Sequence, residues 1–127
     1  MIWLVALGGA LGSVSRFLLG PALQRAFDAT FPVGTLFINI TGSLILGFVM
    51  RLAVEGVNVT PEARAFIAVG FCGGFTTFST FSFEAMRLLE DGEGWRAAMY
   101  VFASVLLSLA AAFVGLVAAR ELMALRR

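Results

Sequence analysis

The sequence predicts an all-α integral membrane protein with four transmembrane helices. Of its 127 residues, 60% are hydrophobic and only 13% are charged, whereas soluble domains are about half apolar and about a quarter charged. Four apolar stretches reach the length of about 20 helical residues that a bilayer core requires; they cover roughly 2–23, 33–54, 63–88 and 95–122. Because these spans occupy almost the whole chain, residues 1–127 are predicted to form a single four-helix membrane domain.

The first stretch is predicted to be a retained transmembrane helix rather than a signal peptide. No basic region precedes it, and its first basic residue, Arg16, lies deep within the apolar run. Gly8 and Gly12 form a G-x-x-x-G pattern, which is typical of a face that packs closely against another helix. A structural role is favoured for Arg16, which would either reach the interface or pair with a carboxylate or with backbone carbonyls. The connection to the second stretch is predicted over residues 24–32.

Hydroxyl and amide side chains recur at helical spacing in the second and fourth stretches. They lie four residues apart and so share one face of each helix: Thr35, Asn39 and Ser43 in the second, and Tyr100, Ser104 and Ser108 in the fourth. Each residue alone could form an ordinary interhelical hydrogen bond or bond to its own backbone. Two such stripes together favour a polar track through the membrane.

The third stretch begins with Thr60-Pro61-Glu62, a favourable helix start with a Thr cap and an early Pro. It then contains GFCGGFTTFSTFSFE, residues 70–84, which crowds five Phe and five Ser or Thr behind clustered glycines. Gly70, Gly73 and Gly74, followed by Thr76 and Thr77, predict a helix break. Unwound backbone at membrane depth is tolerated only where it is buried or lines a cavity, and its free carbonyls suit a hard cation.

Phenylalanines recur every third residue past this predicted break, at Phe75, Phe78 and Phe81, and hydroxyl residues occupy the positions between them. Ordinary packing would explain one isolated Phe, but the interleaving with hydroxyls indicates a binding path. A phenyl ring has a positive edge, so an anion can lie against it while Ser, Thr and Asn groups donate hydrogen bonds. Such a path suits a small, strongly hydrated anion. Glu84 closes the segment and is expected near the interface.

The arginine distribution leaves the orientation open. An even number of helices places both termini on one side of the membrane, so the arginines divide into two sets: Arg51, Arg64, Arg120, Arg126 and Arg127 against Arg25, Arg87 and Arg96. Without the C-terminal pair the bias vanishes, so the positive-inside rule allows both orientations or one with cytoplasmic termini. Four helices cannot shelter a polar path alone. An antiparallel homodimer would supply inverted symmetry, and a parallel oligomer stays possible.

Enzymatic chemistry is not expected. The chain has no His and no Lys, which argues against zinc, copper and Schiff-base chemistry. Cys72 is its single cysteine, so an intramolecular disulfide is excluded. No nucleophile–base pair can be assembled from the remaining residues.

Three motifs, in this order and spacing, resemble the Fluc (CrcB) family of fluoride channels: GGALGSVSR, GTLFINITGSLILGF and GFCGGFTTFSTFSFE. The resemblance covers all four stretches. It implies a dual-topology antiparallel homodimer in the inner (plasma) membrane, with two fluoride pores and a central structural Na⁺, that expels fluoride passively. The implied partners are fluoride, a second copy of the chain and membrane lipid, with no nucleic acid.

Carried over by position, the resemblance also implies roles for individual residues. Asn39 would donate to fluoride, with the ring edges of Phe78 and Phe81 facing the ion and with Ser108 and Tyr100 adding polar contacts. Backbone carbonyls of Gly73 and Thr76 from both subunits would bind Na⁺. The remaining assignments are Thr77, Ser79 and Thr80 to the pathway, Glu84 to a pore mouth, and Arg16 to the vestibule.

Two other functions remain open at this point. A small dual-topology proton-coupled exporter would need a carboxylate embedded in the membrane, but all eight acidic residues are predicted to lie in connections or near span ends. A structural subunit without transport activity would explain the packing glycines, but not the polar stripes and the predicted break together.

Overall fold

The computed structural model describes residues 1–27, 30–55 and 58–127, and the described part is helical throughout apart from short connections. Its elements are α1 (Ile2–Phe27), α2 (Val33–Val54), α3 (Pro61–Arg64), a π-helical segment (Ala65–Cys72), α4 (Gly73–Phe75), α5 (Phe78–Glu90) and α6 (Gly94–Ala124). Four helices are long and apolar enough to cross a membrane: Ile2–Phe27, Val33–Val54, Pro61–Glu90 and Gly94–Ala124. The predicted all-helical protein with four membrane-spanning helices and a bent third helix is confirmed.

The third membrane helix starts as predicted, and its break is narrower than predicted. The Thr60 hydroxyl accepts a hydrogen bond from Ala63 N–H at 3.1 Å, and Pro61 occupies the first turn. Of the residues in the predicted break, Gly70, Gly73 and Gly74 stay helical, and the helical backbone continues as far as Phe75. The chain leaves the helical conformation only at Thr76 and Thr77, which adopt extended angles.

The glycines of the third helix serve close packing instead. A Cβ atom added to Gly70 would lie 2.8 Å from Val5 O and 3.0 Å from the Cα atom of Gly8. At Gly74 it would collide with the carbonyl of Gly9. Because these positions have no side chain, the backbones of the third helix and α1 come into direct contact. The glycines make this contact while they remain helical.

The G-x-x-x-G face of α1 forms the other half of this contact, which confirms its predicted packing role. Gly8 and Gly12 are buried, and a Cβ at Gly12 would lie 2.8 Å from Phe75 N. Helices α2 and α6 also pack through glycines. A Cβ added to Gly47 would meet the backbone of Ala112, and one added to Gly115 would meet the backbone of Leu44.

The first helix is longer than predicted and includes residues that were expected in the connection. It runs to Phe27, so Gln24 and Arg25 are helical. The physical reason is a contact with the following chain: the Gln24 side-chain amide hydrogen-bonds Phe31 O at 2.9 Å and Gly34 N–H at 3.3 Å. These bonds hold the last turn of α1 against the start of α2.

The glycine contact predicts a difference between two alanine substitutions on α1. Gly12→Ala should lower stability by about 1–3 kcal/mol, the usual cost of overpacking, because the new methyl group meets backbone that cannot rotate away. Gly9→Ala is the matched control, since its nearest neighbour would be Gly70 O at 3.8 Å, an ordinary contact. The measurement is the melting temperature of each purified variant in detergent. Equal melting temperatures for the two variants would contradict this packing.

Candidate functional site

Two threonines end one helix and start the next at the bend. Thr76 N–H and the Thr76 hydroxyl both donate to Cys72 O, at 3.0 and 2.7 Å, which closes the last turn of α4. Thr77 is fully extended, with φ −152° and ψ 113°. Its hydroxyl accepts from Thr80 N–H at 3.1 Å and so caps the first turn of α5.

Asn39 on α2 binds both backbone groups of Thr77. Its Nδ2 donates to Thr77 O at 3.1 Å, and its Oδ1 accepts from Thr77 N–H at 2.8 Å. Backbone donors and acceptors inside a membrane need partners, because no water is present to replace a lost helical hydrogen bond. One amide side chain therefore satisfies both backbone polar groups of Thr77. Asn39 thereby fixes the position of the bend relative to α2.

The same hydrogen bond changes the surroundings of the Gly73 carbonyl. In a continuous helix Gly73 O would accept from Thr77 N–H four residues later, but that N–H donates to Asn39. Gly73 is exposed, and nothing lies within 4 Å of the position of an added Cβ. Carbonyl oxygens are suitable ligands for a hard cation. The backbone beside the bend thus offers this chemistry on an open face.

The next carbonyl in the chain is already engaged. Gly74 O accepts from Arg16 Nε at 3.1 Å, and the Ser13 hydroxyl lies 3.5 Å from it. Of the partners that the sequence left open for Arg16, the structure shows a backbone carbonyl. Arg16 is half-buried, and it ties the polar part of α1 to the helix turn that precedes the bend.

A groove of about 360 Å³ opens beside the bend, between α2, α5 and α6. It brings together predicted path residues from the second, third and fourth membrane spans: Asn39, Thr77, Phe78, Phe81, Ser104 and Ser108. The Phe78 and Phe81 ring centroids are 5.5 Å apart with the rings tilted by 51°. Phe78 is 79% exposed in the single chain, so one wall of the groove has no cover.

Ser104 contributes an unusual polar atom to this groove. Its side chain is 7% exposed, and within the described part of the chain its Oγ has no hydrogen-bond partner. A buried hydroxyl without a partner costs free energy, so such groups commonly meet a ligand or an ordered water molecule. The helical spacing of Tyr100, Ser104 and Ser108 was the sequence signal for this position.

A second and larger cavity, about 780 Å³, lies on the other side of the bend; we refer to it as the vestibule. Its polar and charged lining comes from the three N-terminal spans and from residues next to their ends: Ser13, Arg16, Gln24, Thr30, Thr35, Thr77, Thr80, Glu84, Arg87 and Asp91. Thr77 lines both the vestibule and the groove. The Asn39–Thr77 contact is therefore the boundary between the two cavities.

Glu84 lies inside the protein rather than at its surface. It is half-buried within the third span, six residues before that helix ends at Glu90. One carboxylate oxygen accepts from the Thr35 hydroxyl at 2.5 Å, and the other lies 3.5 Å from the Tyr100 hydroxyl. Two hydroxyl groups from neighbouring helices compensate the burial of Glu84, and its predicted place near the membrane interface stays a prediction.

Tyr100 and Ser79 lie differently from the other predicted path residues. Tyr100 is fully buried, and its ring packs against Phe81 and Phe31 with centroid distances of 5.2 and 5.5 Å. It therefore supports the groove from behind while its hydroxyl points to Glu84. Ser79 is exposed, and its hydroxyl lies 3.3 Å from that of Thr77; it lines neither of the two cavities.

Several lining residues of the vestibule were not among the site residues assigned by the family resemblance, including Thr35, Gln24 and Arg87. Thr35 had a signal, because it belongs to the stripe that contains Asn39 and Ser43. Gln24 was placed in a connection, and Arg87 was counted only as a charge near a span end. Their position at the cavity depends on how α1, α2 and α5 meet, which no local pattern reports.

Comparison with known proteins gives a family. A model described as CrcB-like protein, Camphor Resistance (CrcB), matches residues 3–116, which is most of the chain. The chain belongs to the CrcB-like family. The resemblance inferred from the three motifs is thereby confirmed.

Relatives of this CrcB-like chain match it over nearly their whole length. A protein from Thermus thermophilus is 51% identical over 112 residues, covering 88% of this chain and 89% of the relative. One from Rhizobium meliloti is 48% identical over 122 residues, covering 95% and 97%. One from Aquifex aeolicus is 41% identical over 122 residues, covering 96% and 98%. All three are named fluoride-specific ion channel FluC.

The Asn39–Thr77 contact predicts a specific loss of stability. Asn39→Ala leaves the Thr77 N–H and C=O without their partners, and each unsatisfied group costs about 1–3 kcal/mol. We expect a lower melting temperature and faster amide exchange over residues 76–80. Ser43→Ala is the control, because it also removes a polar group from the groove-lining face of α2 but leaves both bonds to Thr77 in place. Equal exchange at the bend in the two variants would show that Asn39 does not hold it.

Proposed function

We propose that this chain is a fluoride-selective passive ion channel of the plasma (inner) membrane, through which fluoride leaves the cell. Two independent lines support the proposal. Relatives that carry the name of fluoride channels match 88–96% of the chain at 41–51% identity. In addition, six residues from three membrane spans line one groove at the bend, and this convergence is the observation that carries the proposal.

The groove has donors suited to a small anion. An amide NH₂ group has two N–H donors, and Asn39 uses one of them for Thr77 O, so the other can donate to fluoride. The hydroxyls of Ser104 and Ser108 supply further donors. The edges of Phe78 and Phe81 add a weak positive potential. None of these groups carries a full charge, so they can replace water around fluoride without trapping the ion.

The vestibule would collect the anion before it reaches the groove. Arg16 and Arg87 line it together with the acidic residues Glu84 and Asp91, so the lining has no excess of positive charge, and an entering anion would contact the two guanidinium groups. Thr80 and Thr77 offer hydroxyls between the vestibule and the bend. Ser79 is assigned to the pathway through its contact with Thr77, and Glu84 to the mouth, where Thr35 holds it.

A proton-coupled exporter is the second candidate. The observation that favours it is the position of Glu84, which is a half-buried carboxylate within a membrane span, where acids commonly serve proton transfer. The two candidates differ in what drives fluoride. A channel follows the electrochemical gradient of fluoride alone, whereas an exporter couples fluoride to protons.

A flux assay with purified protein in liposomes tests the proposal. Under an outward gradient with a potassium ionophore to compensate charge, we expect fast fluoride efflux and chloride efflux at the level of protein-free vesicles. Chloride flux equal to fluoride flux would contradict selectivity. A requirement for a proton gradient would favour the exporter.

The ring-edge contact is tested in the same assay. Phe81→Ile removes the ring edge from the groove at roughly similar bulk, and we expect fluoride efflux to fall at least tenfold. Phe83→Ile is the matched control on the same helix, because Phe83 is 64% exposed and lines neither cavity. Wild-type flux in Phe81→Ile, or an equal loss in both variants, would contradict the role of the ring edge.

We further propose that two copies associate as an antiparallel, dual-topology homodimer with two pores and a central structural Na⁺. The uncovered wall of the groove at Phe78 supports association, because a path through the bilayer needs a second wall. The arginine distribution supports insertion in both orientations. The carbonyls of Gly73 and Thr76 from both subunits would bind Na⁺, since oxygen ligands suit it and Gly73 lies on an open face.

This assembly makes a topological prediction with two readouts. A C-terminal tag should be labelled from both sides of sealed vesicles, and labelling from one side alone would contradict the antiparallel arrangement. Replacement of Na⁺ by N-methylglucamine should lower the melting temperature of the dimer. An unchanged melting temperature would contradict the sodium site.

A further inference from the structure

We propose that Gln24 is a positioning residue that holds the two hydroxyl partners of Glu84 in the vestibule. Gln24 sits in the last turn of α1 and lines the vestibule. Its effect on ion flow rests on the function proposed above, but its effect on the structure does not.

The first step is the way α2 begins. Pro32 precedes the helix, and no side chain of its own segment caps the first turn. The cap comes from α1 instead, because Gln24 Oε1 accepts from Gly34 N–H at 3.3 Å. Helix starts leave several N–H groups without intrahelical partners, so this bond satisfies a group that α2 itself leaves open.

The second step is the bond on the other side of Pro32. Gln24 Nε2 donates to Phe31 O at 2.9 Å. One amide therefore holds the chain both before and after the proline. The backbones are already in contact one turn earlier, since a Cβ added to Gly34 would collide with the carbonyl of Gly20. The start of α2 is thus fixed to α1 by packing and by two hydrogen bonds.

The third step connects these anchors to Glu84. Thr35 directly follows Gly34, and its hydroxyl donates to Glu84 at 2.5 Å. Phe31 packs edge-on against the ring of Tyr100, whose hydroxyl lies 3.5 Å from the other Glu84 oxygen. Gln24 thus binds the backbone of Phe31, whose ring packs against Tyr100, and of Gly34, which precedes Thr35. Through these two bonds it holds both hydroxyl partners of Glu84 in place.

The test uses Gln24→Met, which has nearly the same length and lacks both hydrogen-bonding groups. We expect fluoride efflux per folded dimer to fall about tenfold, and amide exchange over residues 32–37 to accelerate. Thr41→Val is the matched control, because within the described residues the Thr41 hydroxyl bonds only to Phe37 O of its own helix; it should keep wild-type flux and exchange. If Gln24→Met does not fold, Gln24→Glu replaces it in the test. Glu keeps the acceptor for Gly34 N–H but loses the donor to Phe31 O, so amide exchange over residues 32–37 should still be faster than in the wild-type protein.

A double variant separates positioning from a general loss of stability. Thr35→Val removes the hydroxyl that Gln24 is proposed to align. If Gln24 acts in part through Thr35, the double variant loses less flux than the product of the two single losses. Losses that multiply in the double variant, or wild-type flux in Gln24→Met, would overturn the proposal.

The amide-exchange measurement still tests the role of Gln24 if the wild-type protein passes no fluoride. In that case the proposed function fails, and the exchange experiment alone tests Gln24. Faster exchange over residues 32–37 in Gln24→Met, with no change in Thr41→Val, would uphold its positioning role. Unchanged exchange in Gln24→Met would overturn it.

Discussion

The arrangement depends on a requirement of the bilayer: every backbone N–H and C=O group needs a partner. A bent membrane helix violates this requirement at the bend unless another element supplies the missing donor and acceptor. Asn39 supplies both to Thr77, at 2.8 and 3.1 Å. This contact ends α4, allows α5 to start in a new direction, and places α2 beside the groove. The polar side chain that stabilises the bend is therefore also the one that faces the groove.

Close packing of α1 against the third helix provides the complementary constraint. Gly70 and Gly74 face Gly8 and Gly12 at distances where any Cβ would meet backbone. This approach brings Arg16 within 3.1 Å of Gly74 O, two residues before the bend. A long, charged side chain thereby reaches the vestibule while its Nε is bound to backbone. The glycines that look like helix breakers in the sequence are what bring α1 close enough for this contact.

The architecture was largely predictable from the sequence because it follows from length and hydropathy. The four spans, the Thr60 cap and the G-x-x-x-G face follow from local rules, and the four-residue spacing of Asn39 and Ser108 with their neighbours predicted their shared path. The site of the bend was not predictable in this way. The low helix propensity of glycine favours a break at the glycines, but their packing against α1 stabilises the helix there. The two hydrogen bonds from Asn39 stabilise the bend at Thr77 instead.

The positions of Tyr100, Glu84 and Gln24 show the same limit. Tyr100 shares a stripe with Ser104 and Ser108, yet its ring fills the space behind Phe81 and its hydroxyl points to Glu84. Hydropathy puts Glu84 near a span end but does not report the Thr35 and Tyr100 hydroxyls that lie against its carboxylate. The role of Gln24 depends on an α1–α2 contact ten residues apart in the chain. Each of these outcomes is decided by tertiary packing, which residue spacing does not report.

The most direct test of the central claim, that the groove beside Asn39 and Thr77 carries fluoride passively, is the reversal potential of the current in a planar bilayer. With a tenfold fluoride gradient and a separate pH gradient across the membrane, a passive fluoride path gives reversal near the fluoride equilibrium potential, about 59 mV for a singly charged ion. Changing the pH gradient should leave this value unchanged. A reversal potential that moves with the pH gradient, or that follows a chloride gradient instead, would rule out a passive fluoride-selective path.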